Sequence, residues 1–216
     1  MPWELRFFSD DMNIYNRVRE WFESIDNIFE NEIRDDTYIF SPESLDLGIK
    51  IRNAGNLNGI SNPPKLEIKW RKGTTYLKIL NGRIIGILEE WIKWGWNSAP
   101  TEANDEEVDF FSEIPRGPGI IITKDRSVRC YVLHNDLLRS TKWIKQGEDG
   151  LNCEITKIRV RNFTWWSMGF EGFGKNNNLE EFCYLLQRIL NNFPIRLEKK
   201  LSCSYPEWIK GNFDSI

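Results

Sequence analysis

The spacing of hydrophobic positions changes period several times along the chain. WELRFF, residues 3–8, alternates in the manner of a short strand. DDMNIYNRVREWFESI then places Ile14, Val18, Trp21, Phe22 and Ile25 at helical spacing behind an acidic start, which predicts an amphipathic helix. Three strand-like runs follow, ENEIRDDTYIF, LDLGIKIRN and KLEIKWRKG, separated by a Ser-Pro step and by the turn-rich NAGNLNGISNPP, so they read as antiparallel neighbours. From Arg83, RIIGILEEWIKWGWN carries Ile84, Ile85, Leu88, Trp91 and Ile92 at helical spacing and stops near Gly95 and Asn97; this predicts a second amphipathic helix.

The next stretch, about residues 97–119, is acidic and rich in breakers and reads as an exposed loop. Beyond it the strand pattern resumes in GIIITKDR, SVRCYVLHN, NCEITKIRVRN and FTWWSMGFEGF, with turns expected near Asp125-Arg126 and Asp149-Gly150. A third helix, LEEFCYLLQRILNNF, is predicted to start after the asparagine run 176–178 and to end before Pro194. Eight strands and three helices, with no internal repeat, make residues 1–216 a single α+β domain: a β-rich centre with amphipathic helices packed outside it.

A chain of 216 residues with 40% hydrophobic and 28% charged residues has the composition of a soluble globular protein. No run approaches the roughly 18–20 apolar residues of a membrane span, and the start carries no signal pattern, so a cytoplasmic protein without a membrane partner is expected. A net charge of −3 gives no global reason to expect duplex nucleic acid. Cys130, Cys153, Cys183 and Cys203 form no CxxC pair and have only His134 to join them, which disfavours zinc and a disulfide scaffold.

Two compact motifs come close to chemistry and fall short. Gly169-Phe-Glu-Gly-Phe-Gly174-Lys175 has the glycine and lysine spacing of a phosphate loop, but Asn176 stands where a magnesium-binding hydroxyl is needed. Any Ser-His or Cys-His pair must use His134, which lies in the apolar run VLHN and reads as structural.

The stronger pattern is spread over several strands. Glu4 and Arg6 share one face of the first; Lys50 and Arg52 share one in the third; Glu67, Lys69 and Arg71 share one in the fourth. Lys124 and Arg126 add a basic pair, with Arg129 joining them across a bend. NCEITKIRVRN offers either Glu154 with Thr156 or Lys157 with Arg159 and Arg161, and FEGF adds Glu171. For any one strand the plain reading is a wet sheet face carrying cross-strand ion pairs. The opposite faces, however, carry Leu5, Phe7, Ile49, Ile51, Ile68 and Trp70, on which amphipathic helices could dock. Helices outside require the charged face to turn inward, and a sheet closing on itself then encloses a polar cavity. Basic residues there suit a polyanion, and interspersed carboxylates suit a divalent cation held jointly with the anion's phosphates.

These residues resemble the CYTH domain, or triphosphate tunnel fold, whose members include adenylyl cyclases, thiamine triphosphatases and RNA triphosphatases. The resemblance implies an eight-stranded antiparallel β-barrel, a tunnel, that binds triphosphate through inward Lys and Arg, with glutamates holding Mg²⁺ or Mn²⁺. Matched by motif, Arg6, Lys50, Arg52, Lys69, Arg71, Lys124 and Arg126 would bind phosphate, and Glu4, Glu67, Glu154 and Glu171 would hold the metal. The first strand departs from the family's ExExK, with Arg6 in place of the second glutamate and Phe8 in place of the lysine. The expected ligand is a small polyphosphate or nucleoside triphosphate. Two functions follow: a metal-dependent triphosphatase, or a non-catalytic module that holds phosphate or a nucleotide and meets another protein through the acidic loop or through a surface bearing Trp91, Trp94 and Trp96, with Trp91 better read as packing. A third reading leaves the inward charges neutralising one another in a structural network.

Overall fold

The computed structural model describes residues 3–39, 43–53, 64–97, 119–134, 137–142, 144–145, 147–174 and 178–213; the expected acidic loop lies outside them apart from its ends. Among these residues nine strands are present: β1 (Trp3–Ser9), β2 (Glu30–Ile39), β3 (Leu47–Arg52), β4 (Lys65–Ile79), β5 (Ile84–Asn97), β6 (Gly119–His134), β7 (Leu137–Thr141), β8 (Gly150–Val160) and β9 (Phe163–Phe173). Among the described residues the helices are α1 (Met12–Ser24), α2 (Leu179–Ile189) and α3 (Tyr205–Phe213). None is long and apolar enough to cross a membrane.

All the strand pairings are antiparallel. The order β2-β3-β4-β5-β1-β9-β8-β6 is closed by a β2–β6 ladder from Glu30↔Val128 to Ile39↔Gly119, which makes an eight-stranded barrel. The ninth strand, β7, extends β6 beyond the closure through pairs such as Cys130↔Thr141.

The second predicted helix is strand β5, which pairs with β4 from Lys65↔Asn97 to Ile79↔Ile84 across a bulge at Arg71/Gly73. Its apolar residues satisfy both periods, and the long hairpin decides between them. Ile84, Gly86 and Leu88 alternate toward the outer core, whereas Glu89 and Trp91 are buried on the inner side. Gly86 is required here: a Cβ would lie 2.7 Å from Leu5 Cδ1 and 2.9 Å from Phe7 Cζ. The expected turn at Asp125-Arg126 is also absent, because β6 runs unbroken between β2 and β8. That uninterrupted strand puts Arg129 on the opposite face from Lys124 and Arg126. Fully buried, it donates to the carbonyls of Phe22 (2.7 Å), Asp26 (3.0 Å) and Ile28 (3.2 Å) at the end of α1.

Two cores result. The larger lies outside the barrel, where α1 and α2 cover Leu5, Phe7, Leu88, Ile155, Met168 and Phe170. Asp11 caps α1 and Asn178 caps α2 through side-chain oxygens that accept backbone N–H groups. The helices do not cover the other wall: Trp70, Trp94 and Trp96 on β4 and β5 are about half exposed. The smaller core gathers Phe8, Tyr38, Ile122, Ile158 and Val160 from the barrel strands around Trp208, Ile209 and Phe213 of α3. Phe8 stacks on Trp208 with ring centroids 4.9 Å apart, and Trp165 meets the same indole edge-on at 5.7 Å. This third helix carries a capping box that the sequence displays as SYPE: the Glu207 amide donates to Ser204 Oγ and the Ser204 amide to Glu207 Oε2.

Candidate functional site

Alternation along each strand sends one set of side chains into the barrel, and the register lines them up. Glu4 lies opposite Glu89 on one side and Glu171 on the other. Lys50 lies opposite Glu67, and Tyr38 opposite Lys50. Arg6 lies flat against β9 because Gly169 faces it; a Cβ there would come within 2.7 Å of the guanidinium carbon. In β8 the inward pair is Glu154 with Thr156.

The inward charges form a closed belt. Glu4 accepts from Arg6 (3.0 Å), which also donates to Glu154 (2.9 Å). Arg126 bridges Glu154 (2.7 Å) and Glu32 (2.7 Å), and Arg34 bridges Glu32 (2.6 Å) and Asp36 (3.1 Å). Lys50 links Asp36 (3.0 Å) to Glu67 (3.2 Å), and Lys93 links Glu67 (3.5 Å) to Glu171 (4.0 Å). Lys69 returns the belt to its start, 3.6 Å from Glu171 and 2.6 Å from Glu4. Every barrel strand contributes a link.

The cavity inside this belt is lined by eight cations, Arg6, Arg34, Lys50, Arg52, Lys69, Lys93, Lys124 and Arg126, against four carboxylates, Glu4, Glu67, Glu154 and Glu171. Exposure grades across it. Lys93 and Glu171 side chains are about 30% exposed at the mouth, whereas Lys124 is 3% exposed on the floor, which Tyr205 and Pro206 of the α3 segment close. Lys124 Nζ lies 3.8 Å from the centre of the Tyr205 ring and 2.8 Å from Asp36 Oδ2.

Burial and the cationic excess set the protonation equilibria. Burial pushes Lys124 down to about 8 against the pull of Asp36, and lowers Lys50 well below the ordinary lysine value with help from Lys124 and Arg52. Burial alone would raise Glu4, but Lys69 and Arg6 override it and hold the carboxyl at about 2. Glu154 is likewise held well below the usual range by Arg126 and Arg6 despite its burial.

Arg71 points inward but does not line the cavity. It donates to Asp46 (2.8 Å), Glu89 (2.5 Å) and Glu207 (2.7 Å) and lies over the Trp91 ring, tying α3 to β4 and β5. The other residues expected to bind phosphate, Arg6, Lys50, Arg52, Lys69, Lys124 and Arg126, converge on the single cavity. The sequence reading omitted Arg34, Asp36, Tyr38, Lys93 and Tyr205. Arg34 and Asp36 alternate visibly in ENEIRDD; Lys93 is hidden by the helical reading of β5, and Tyr205 lies in α3, a helix not predicted from the sequence.

A resident metal does not fit the carboxylates present. Both oxygens of Glu4 are taken by Arg6 and Lys69, and both of Glu154 by Arg6, Thr156 and Arg126. Glu67 is ion-paired with Lys50, Arg52 and Lys93, although neither of its oxygens accepts a well-aligned hydrogen bond, and Glu171 faces Lys69 at 3.6 Å and Lys93 at 4.0 Å. Among the described residues no three His, Cys, Asp or Glu side chains are grouped closely enough to hold an ion.

No protein-family model and no curated protein matches the sequence. Solved structures do. A Hippeastrum protein described as an adenylyl cyclase with a dominant triphosphatase activity aligns over 97% of this chain and 94% of its own, at 12% identity and a TM-score of 0.51. The Mimivirus capping enzyme triphosphatase aligns over 90% and 88%, also at 12% identity and 0.51. The closed antiparallel barrel is thus the triphosphate tunnel fold.

Proposed function

We propose that the tunnel binds a small polyphosphate, either inorganic tripolyphosphate or the triphosphate of a nucleotide. The observation that carries this reading is the convergence of eight cations on one enclosed cavity, where the four lining carboxylates together with Asp36 and Glu32 still leave the cations in excess, and where burial weakens the protons of Lys124 and Lys50. Phosphate oxygens supply the missing charge and accept several N–H donors at once, and enclosure keeps salt from screening the contacts. The two aligned tunnel proteins are triphosphatases, which supports the same ligand class, although a shared fold does not carry an activity with it.

Holding without turnover is the form the geometry favours. A hydrolase needs a free carboxylate as base or a metal to activate water, and Glu4 and Glu154 are both locked as ion-paired anions, which leaves Glu171 at the mouth, 3.6 Å from Lys69 and 4.0 Å from Lys93, as the carboxylate from which a base would have to come. Calorimetric titration with tripolyphosphate tests the binding. Lys50→Met or Arg52→Met is expected to weaken it by about tenfold, the loss of one charge-assisted contact. Absence of heat at millimolar ligand ends the proposal, and phosphate release on incubation would make the protein a hydrolase instead of a carrier.

A further inference from the structure

We infer that Lys69 stands in for a divalent metal ion, so that the tunnel takes its polyphosphate without one; this rests on the polyphosphate reading above. Glu4 and Glu171 are direct partners across the β1–β9 ladder, the arrangement in which two carboxylates on neighbouring strands could share a cation. The cation between them is the Lys69 ammonium, 2.6 Å from Glu4 Oε2 and 3.6 Å from Glu171 Oε1.

Two further facts support the substitution. The second carboxylate position on β1 holds Arg6, whose guanidinium takes the other Glu4 oxygen and reaches Glu154. An anion there would have drawn a metal; a cation repels it. Lys69 comes from β4, which is not hydrogen-bonded to β1 or β9, so its ammonium reaches across the barrel interior instead of lying along its own strand. A lysine held in this way presents a fixed positive charge and N–H donors at the point where a metal would bridge carboxylate and phosphate.

Manganese is the probe, because free Mn²⁺ is counted directly by its paramagnetic resonance signal. Purified wild-type protein without ligand is expected to show no site tighter than millimolar. A micromolar site that disappears in Glu171→Gln would overturn the inference. Lys69→Gln leaves Glu4 and Glu171 facing each other with a smaller cationic load, and is expected to bind Mn²⁺ at least about tenfold more tightly than wild type. If that variant is folded by near-ultraviolet circular dichroism and gains nothing, the inference is wrong; if it does not fold, the wild-type titration decides alone.

Tripolyphosphate titrated into protein held in EDTA should bind. Binding that appears only after Mn²⁺ is added also refutes the inference. No binding under either condition removes the polyphosphate reading and leaves the manganese titrations to judge the role of Lys69.

Discussion

Burial shifts the proton affinities of two side chains in opposite directions. Glu89 is 2% exposed, and burial together with Glu4 raises its carboxyl to about 7 even though Arg71 donates to it. In the unfolded chain the same group ionises near 4.5, so between those values the folded state retains a proton that the unfolded state has lost. Stability from this group is therefore complete below 4.5 and drains away as pH rises through 7. Glu89→Gln should flatten that decline and raise stability at pH 8 by about 2–3 kcal/mol. Urea unfolding at pH 5 and pH 8 checks it, and an unchanged slope with pH would rule out Glu89 as its source. Lys124 gives the ligand its pH dependence. Because its ammonium is weakened to about 8, a bound polyanion should draw a proton onto it, so affinity falls as pH rises through that value. Titration in buffers of different ionisation enthalpy should show proton uptake near pH 8 that Lys124→Met abolishes.

At the level of elements, α3 has the most influence on the site. It is only nine residues long, yet its Trp208 is 2% exposed, stacked on Phe8 and edge-on to Trp165 and Phe213. Trp208→Ala should cost about 3–5 kcal/mol in thermal or chemical unfolding, the range for emptying a large aromatic site. A loss below 1 kcal/mol would mean that the helix is not held as described. The strand alternation that carries the site was readable: Glu67, Lys69 and Arg71 had to share one face, and so did Lys50 and Arg52. Two elements were not read correctly, for different reasons. In β5 the isoleucines fit both a helical and a strand period, and only pairing with the whole of β4 separates them. In α3 the capping box was legible, but so short an amphipathic stretch acquires its helicity from docking inside the barrel.

For the whole molecule, the sequence pattern implied a closed barrel with charge inside and apolar residues outside, and the described residues form that barrel. What alternation could not convey is how the inner face is divided along the axis. Phe8, Ile122 and Ile158 share strand faces with Arg6, Lys124 and Thr156, yet the first three belong to an aromatic floor and the others to the charged region. That boundary depends on a helix from the far end of the chain. Some of the ion-pair partners were equally hidden, since links such as Arg6 to Glu154 and Arg126 to Glu32 join strands distant in sequence.

The belt of alternating charges also bears on how the chain reaches this state. β1 sits between β5 and β9, so this strand, earlier in the chain than both its neighbours, finds the second of them only when Glu4 meets Glu171. Until then Glu4, Arg6 and Lys69 must remain hydrated, because a half-closed ring would desolvate charges without giving them partners. Closure is thereby pushed toward the last step of folding. Pairings so remote in sequence place the barrel among slowly folding topologies, in which an open β1 edge is the segment exposed for longest.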